Sequence, residues 1–332
     1  MNTSVVFRVR NEGATLGAVL DGVLKQDCPD CPELVVVDSG STDNTLDIAR
    51  SRGCRIVSIP PESFSWGYAL NLGAREARGD IIIYLSGHCV PVDRRWLSTL
   101  LAPFSDGRVA GVYSRHQPVP ALDPFEGVEL EYLWFPKGVG KSVESQSFSN
   151  ASCAIRRSVW EQIAFDETLL SCEDGDWAAR VLKAGWRIIY QPASAVWHSH
   201  PPRLETIYLR WFWRCYAAKT ALPFTRDGSW AYLVWKTLHF TLLDLRFLVS
   251  HGLLLRVWQL PFYEAVRQLG AFHGARAAMA GKTFDKWNDV GVPAYLEWFR
   301  TIVEHASKSA SAPPPPSTAG RASRNPTSGE DT

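Results

Sequence analysis

Four short β-branched runs, separated by stretches of helical periodicity, constrain this chain more than any other feature. Ser4–Val9, Leu34–Val37, Cys54–Ile59 and Ile81–Leu85 read as strands, and Thr15–Gln26, Thr42–Arg52 and Tyr68–Ala77 as the helices between them. Strands joined through helices lie parallel, with right-handed crossovers and helices on both faces. The expected class is therefore α/β, with a Rossmann-like, mostly parallel sheet. Ligands of such sheets bind at the carboxyl ends of the strands, so the loops after Val9, Val37 and Leu85 are the expected functional ones. From Arg115 to Asn150 the pattern loosens around Pro118, Pro120, Pro124 and Pro136, and Gly138 and Gly140 mark a mobile loop. Regular structure resumes with Ala151–Arg156. A helix then runs from Glu173-Asp174 to near Gly185, and two short strands follow, Arg187–Tyr190 and Ala195–His198.

The division expected from this pattern is a sheet domain over residues 1–202, a helical extension over 203–305 and a disordered tail over 306–332, which holds the Pro313–Pro316 run. The net charge of +1 gives no field for nucleic acid, but the charge is unevenly spread: −5 over residues 1–200 and +6 over 201–300. Nine of the 14 Trp fall between Trp160 and Trp258, three of them directly beside Arg, two of these in Arg210-Trp211-Phe212-Trp213-Arg214. Helices mixing Trp, Leu and Arg suit an interface with anionic lipid; the plainer reading is a helical subdomain packed on the sheet. Leu233–Leu255 is broken by Lys236, His239, Asp244, Arg246 and His251, which argues against a spanning helix. Seven scattered Cys read as reduced thiols, the Cys28-Pro-Asp-Cys31 pair as a loop with incidental thiols, and no signal peptide is evident. The expected location is cytoplasmic, including the inner face of the plasma membrane.

Four segments carry chemistry. Val37-Asp38-Ser39-Gly40-Ser41-Thr42-Asp43 ends a strand in a carboxylate and a tight polar turn. Ser41 or Thr42 can cap the next helix, and Asp38 can either close the turn or accept from a base or ribose. Arg10-Asn11-Glu12-Gly13 follows the first strand in place of a Gly-x-Gly-x-x-Gly loop, which disfavours a nicotinamide fold. Ser86-Gly87-His88 sets a histidine at a strand end, suited to metal ligation or proton transfer and equally at home as an ordinary loop residue. Glu173, Asp174 and Asp176 crowd a helix start, where the dipole favours them and where crowding can lift one pKa into the range of a general base. Val196-Trp197-His198-Ser199-His200 closes a further strand on two histidines.

Together these stations resemble the family 2 glycosyltransferases of the GT-A fold over about Ser4–Arg210. The resemblance includes Arg8, Arg10, Asn11 and Glu12, Gly67-Tyr68-Ala69-Leu70-Asn71-Leu72-Gly73-Ala74, Phe148-Ser149-Asn150, the Glu173-Asp174 pair and His198-Ser199-His200; bacterial rhamnosyltransferase-like members are most similar. It implies a nucleotide site on Arg10, Glu12, Asp38, Ser39, Gly40 and Asn71. Asp174 would be the catalytic base with Glu173 beside it, and acceptor or sugar contacts would fall to Asn150, Trp177 and His200. The family's Asp-x-Asp is replaced by Ser86-Gly87-His88, so His88 and His198 become the expected metal ligands, with His200 as the fallback. A divalent cation is implied, Mn or Mg with Mn favoured, because imidazole suits Mg poorly.

The implied activity is inverting transfer of a sugar from a nucleotide-sugar donor to an acceptor hydroxyl. A saccharide or lipid-linked saccharide in bacterial cell-surface polysaccharide or glycolipid synthesis is the implied acceptor. The alternatives are a sugar nucleotidyltransferase, which would want a Gly-rich basic loop where Asn11-Glu12-Gly13-Ala14 stands, and a degenerate glycosyltransferase-like binding module.

Overall fold

A computed structural model describes residues 2–28, 31–119, 124–135, 141–198, 200, 203–220, 230–286, 289–293, 296 and 299. The expected tail and the Gly138 and Gly140 part of the loop lie outside the described residues.

The four β-branched runs become β1 (Thr3–Val9), β2 (Glu33–Asp38), β3 (Arg55–Ser58) and β4 (Ile81–Ser86), paired in parallel in the order β3-β2-β1-β4. The crossovers are α1 (Leu16–Leu24), α2 (Thr45–Ser51) and α3 (Trp66–Glu76). Side chains alternate between faces. Val5, Phe7 and Val9 join Leu16, Leu20 and Trp96 in one core layer, while Val6, Ile82 and Tyr84 join Leu70 and Trp177 in the other.

Past β4 the sheet is mixed rather than parallel. β6 (Val109–Gln117) ends at the carboxyl rim, and the chain comes back into the sheet from that rim as β8 (Ser152–Arg156), which therefore runs antiparallel between β4 and β6. This reversal sets Asn150 beside the ends of β1 and β4. The two strands expected at 187–190 and 195–198 are one, β9 (Arg187–Trp197), parallel to β6. Gln191 faces Ser114 while Ala195 faces the next residue, Arg115, so 192–194 form a bulge at Pro192, which has no N–H for the ladder. Two short strands, β5 (Val90–Pro91) and β7 (Val143–Glu144), pair antiparallel with β9. A short helix α4 (Trp96–Leu101) packs under β9, and α6 (Arg157–Trp160) and α7 (Glu173–Lys183) follow β8.

Helix α2 starts three residues later than expected, with Asn44 at its N-cap, because Asn11 holds the Ser41-Thr42 turn before it. Ser41 Oγ accepts from the Asn11 N–H at 2.9 Å and Asn11 Oδ1 accepts from the Thr42 N–H at 2.7 Å. Asp43, one residue before the N-cap, accepts from the Thr45 N–H at 3.0 Å.

Residues beyond 203 form α8 (Leu204–Thr220), α9 (Trp230–Ser250) and α10 (Leu260–Met279) around a third core that includes Tyr208, Trp211, Phe240 and Tyr263. The Arg210–Arg214 run does not face outward as an interfacial surface would. Trp211 and Trp213 are buried, Arg210 pairs with Glu126 at 2.6 Å and Arg214 with Glu129 at 2.8 Å. Both glutamates belong to α5 (Pro124–Val128) and the π-helical turn after it; buried carboxylates need cations, and α8 turns these two inward. Among the described residues no helix is long and apolar enough to cross a membrane.

Candidate active site

The carboxyl ends of β1, β4, β6 and β9 meet at one rim. His88 lies two residues past β4, and His198 directly follows β9, its N–H donating to the Gln117 carbonyl at 2.9 Å. The rings of His88 and His198 stack at 5.1 Å, and His200 lies 4.7 Å from each. One ring nitrogen from each of the three falls within 4.8 Å of the others, which is metal-ligand spacing. Two of the rings are aimed by carboxylates: His88 Nδ1 sits 2.8 Å from Glu12 Oε1, and His200 Nδ1 sits 2.6 Å from Glu126 Oε1. Such outer carboxylates fix ring orientation and leave the opposite nitrogen for a cation.

Burial pushes the pKa of His198 well down, with the neighbouring imidazoles adding to the effect, and burial also lowers that of His200 against the opposing charge of Glu126. Neutral rings keep their lone pairs, and His198 Nδ1 is buried without a hydrogen-bond partner. That orphaned nitrogen and the two anchored rings fit a divalent cation. His200, expected first as an acceptor contact, belongs with this group.

Glu173 and Asp174 open α7 on the same rim. Asn150 Nδ2 donates to Glu173 Oε1 at 2.9 Å, and Asn150 Oδ1 accepts from Arg8 Nη2 at 3.0 Å. Asn150 is thus committed to holding Arg8 and Glu173 together. Expected as a sugar contact, it is buried here with its amide bridging these two side chains. Burial and then the charge of Glu173 raise the pKa of Asp174 to about 7, against the lowering effect of the Gly175 and Asn150 N–H groups and Arg8. As a residue Asp174 is half-buried at the rim. Cys172, the residue just before α7, has φ of 62°, a strained setting for a side-chain-bearing residue.

On the β2 side, Asp38 closes its turn by accepting from the Gly40 and Ser41 N–H groups at 3.1 Å each, and Ser39 Oγ donates to the Val9 carbonyl at 3.3 Å. Gly40 has φ of +90° and a side chain there would meet Pro61, so only glycine fits. Arg10 is exposed beside this turn. Glu12 orients His88 instead of standing open for a nucleotide.

Two expected contacts prove to be core. Trp177 is fully buried, stacked on Phe165 at 5.4 Å with its indole N–H donating to the Ile163 carbonyl at 2.8 Å. Counted along α7, it lies three residues from Asp174 but on the side that faces the sheet. Asn71 is buried too: Oδ1 accepts from the Trp160 indole and the Phe165 N–H, and Nδ2 donates to the Phe165 carbonyl and to Glu167. Asn71→Ala strands the two buried donors and should lower unfolding free energy by about 2–4 kcal/mol, measured by urea denaturation.

Three residues of the site were missed: Glu126, Arg210 and His116. His116 is buried against His198 with ring centroids at 4.9 Å, and burial holds its pKa down to about 3, so it stays neutral. Strand alternation from Ser114 could have turned His116 inward; no local pattern marked Glu126.

Residues 4–163 match the family model described as glycosyl transferase family 2. Over 219 residues the chain is 30% identical to the O-antigen chain rhamnosyltransferase RfbN of Salmonella typhimurium, covering 62% of this chain and 69% of that one. It is 30% identical over 185 residues to the O-antigen chain rhamnosyltransferase WbaN of Salmonella anatum, covering 52% and 59%. Among solved structures, the mannosyltransferase PcManGT of Pyrobaculum calidifontis, in complex with GDP-Man and Mn2+, has a TM-score of 0.57 at 18% identity, over 85% of this chain and 88% of that one. The likeness to that structure is one of fold, and the fold is GT-A. With the rim built as described and a family match along most of the sheet, the chain belongs to the family 2 glycosyltransferases and is a glycosyltransferase similar to bacterial rhamnosyltransferases.

Proposed function

We propose that the protein transfers a deoxyhexose, rhamnose being the model, from a nucleotide diphosphate sugar to a hydroxyl of a lipid-linked saccharide, in cell-surface polysaccharide or glycolipid synthesis. The observation that carries this reading is Asp174, held at the rim through Glu173, Asn150 and Arg8 with a pKa near neutrality. The names of the Salmonella relatives support the sugar and the polysaccharide.

Asp174 takes the proton of the acceptor hydroxyl as that oxygen bonds to the anomeric carbon. The bond from that carbon to the diphosphate breaks on the opposite side, and its electron pair leaves with the phosphate. One displacement inverts the anomeric centre. Glu173 remains bonded to Asn150 and keeps the field that holds Asp174 basic enough to act. His88, His198 and His200 would hold a divalent cation, which would supply positive charge to offset the negative charge growing on the departing diphosphate. Mn is favoured over Mg by the imidazole donors and by the Mn2+ in the PcManGT complex. We assign the nucleotide to the Arg10 and Asp38–Gly40 turn. Residues 1–202 serve as the donor domain and 203–305 as the acceptor side, at the inner face of the plasma membrane.

A panel of UDP-, GDP- and dTDP-sugars with Mn tests the reading: turnover of one donor supports it, and inertness of all of them would refute it. In the same assay, kcat/KM should rise about tenfold per pH unit below pH 7 and level off above it, because the base acts only when ionised. A profile already flat from pH 5 to 6 would exclude Asp174 from the role.

A further inference from the structure

Helix α9 is apolar on two sides, and only one of them is accounted for by the core. Phe240, Phe247 and Leu248 point inward with Asp244. The opposite side carries Trp235, Leu238, Leu242 and Val249, at spacings of three, four and seven, so they form one stripe. Leu238 is 62% exposed and Leu242 68%. The stripe continues into the 3-10 turn Leu254–Gln259, where Leu254, Val257 and Trp258 are exposed and Leu255 is 91% so.

Its flanks are basic. Lys236, Arg246 and Arg256 lie along this segment, whereas the only carboxylate between residues 230 and 262 is Asp244. Asp244 is fully buried and accepts from Arg267 Nη2 at 2.8 Å.

We propose that this face is a docking surface for an anionic lipid bilayer, with α9 lying in the interface plane. The leucines and Trp258 enter the acyl boundary while Arg246 and Arg256 meet phosphate headgroups. Charge disfavours a second copy of this chain, whose like cations would meet these with no carboxylate between them. The inner side of α9 explains what the docking serves. Phe247 packs so closely on Gly127 that a Cβ there would come within 2.3 Å of its ring, and the adjacent Glu126 holds His200. The surface thus lies one helix away from the histidine cluster. Its purpose rests on the proposed lipid-linked acceptor; the binding itself does not.

Sedimentation of the full chain with vesicles of phosphatidylglycerol and phosphatidylcholine tests the proposal. Binding is expected at low salt, with the bound-to-free ratio falling at least about tenfold in about 0.5 M salt. A Leu242→Glu/Leu255→Glu variant should lose at least about tenfold as well, with its circular dichroism and donor hydrolysis unchanged. Absence of binding at low salt, or wild-type binding by the variant, would overturn it. So would a dimer, seen by light scattering, that Leu242→Glu dissolves without any vesicle binding. Failure of the wild-type protein to turn over any donor would count against the transfer reading alone and leave the vesicle result standing.

Discussion

Replacing Asp174 by Asn is expected to lower kcat by about 10²–10⁴-fold, the usual worth of a positioned general base. Donor affinity should stay within about threefold of wild type, because the amide preserves size and the change touches only the reacting proton. The asymmetry follows from the geometry. Asp174 opens α7, and its Oδ1 already accepts from the Gly175 N–H at 2.8 Å, an interaction that the Asn carbonyl can keep. What Asn lacks is a lone pair basic enough to take the acceptor's proton. Initial-rate transfer assays beside calorimetric donor titrations separate the two effects. A variant that retains a tenth or more of wild-type turnover would remove Asp174 from its role. Glu173 is a less clean probe, since Asn150 and Arg8 depend on it for their own partners.

Substitution of the histidines should give the second large effect. His198→Ala is expected to abolish stimulation of nucleotide binding by Mn, because it removes the ring that lies against both His88 and His200. Glu12→Gln is a gentler test: it keeps every ring and loosens the aim of His88, and should weaken Mn affinity by about 10–100-fold. Both are read by titrating Mn in the presence of nucleoside diphosphate. Equal binding with and without Mn in the wild-type protein would end the metal assignment, as would an unchanged Mn affinity in His198→Ala.

Much of the rim was legible because its signals are local. Asp38 and its polar turn, His88 past a β-branched strand and Glu173-Asp174 at a helix start each sit where backbone direction alone decides the end of the sheet they occupy. What was not legible depends on long-range pairing. Nothing in Ser152–Arg156 says that it runs antiparallel; that follows from the chain re-entering at the rim. Asn71 and Trp177 lie inside convincing motifs, yet both face inward, Asn71 to order the 160–167 segment and Trp177 to fill the core. The density of Trp and Arg after residue 200 pointed to an outer surface. At Arg210–Arg214 it answers instead to Glu126 and Glu129, carboxylates some 80 residues earlier whose burial no local pattern reveals.

Those two long-range ion pairs bear on how such enzymes diversify. Glu126 is shared between a histidine of the rim and an arginine of α8, and breaking a buried pair of this kind costs about 3–5 kcal/mol. The rear helices therefore cannot be exchanged freely between relatives, as a detachable specificity cassette could. A chimera must import the 126–129 carboxylates with the arginines that answer them, so these two stretches are expected to be inherited as one unit.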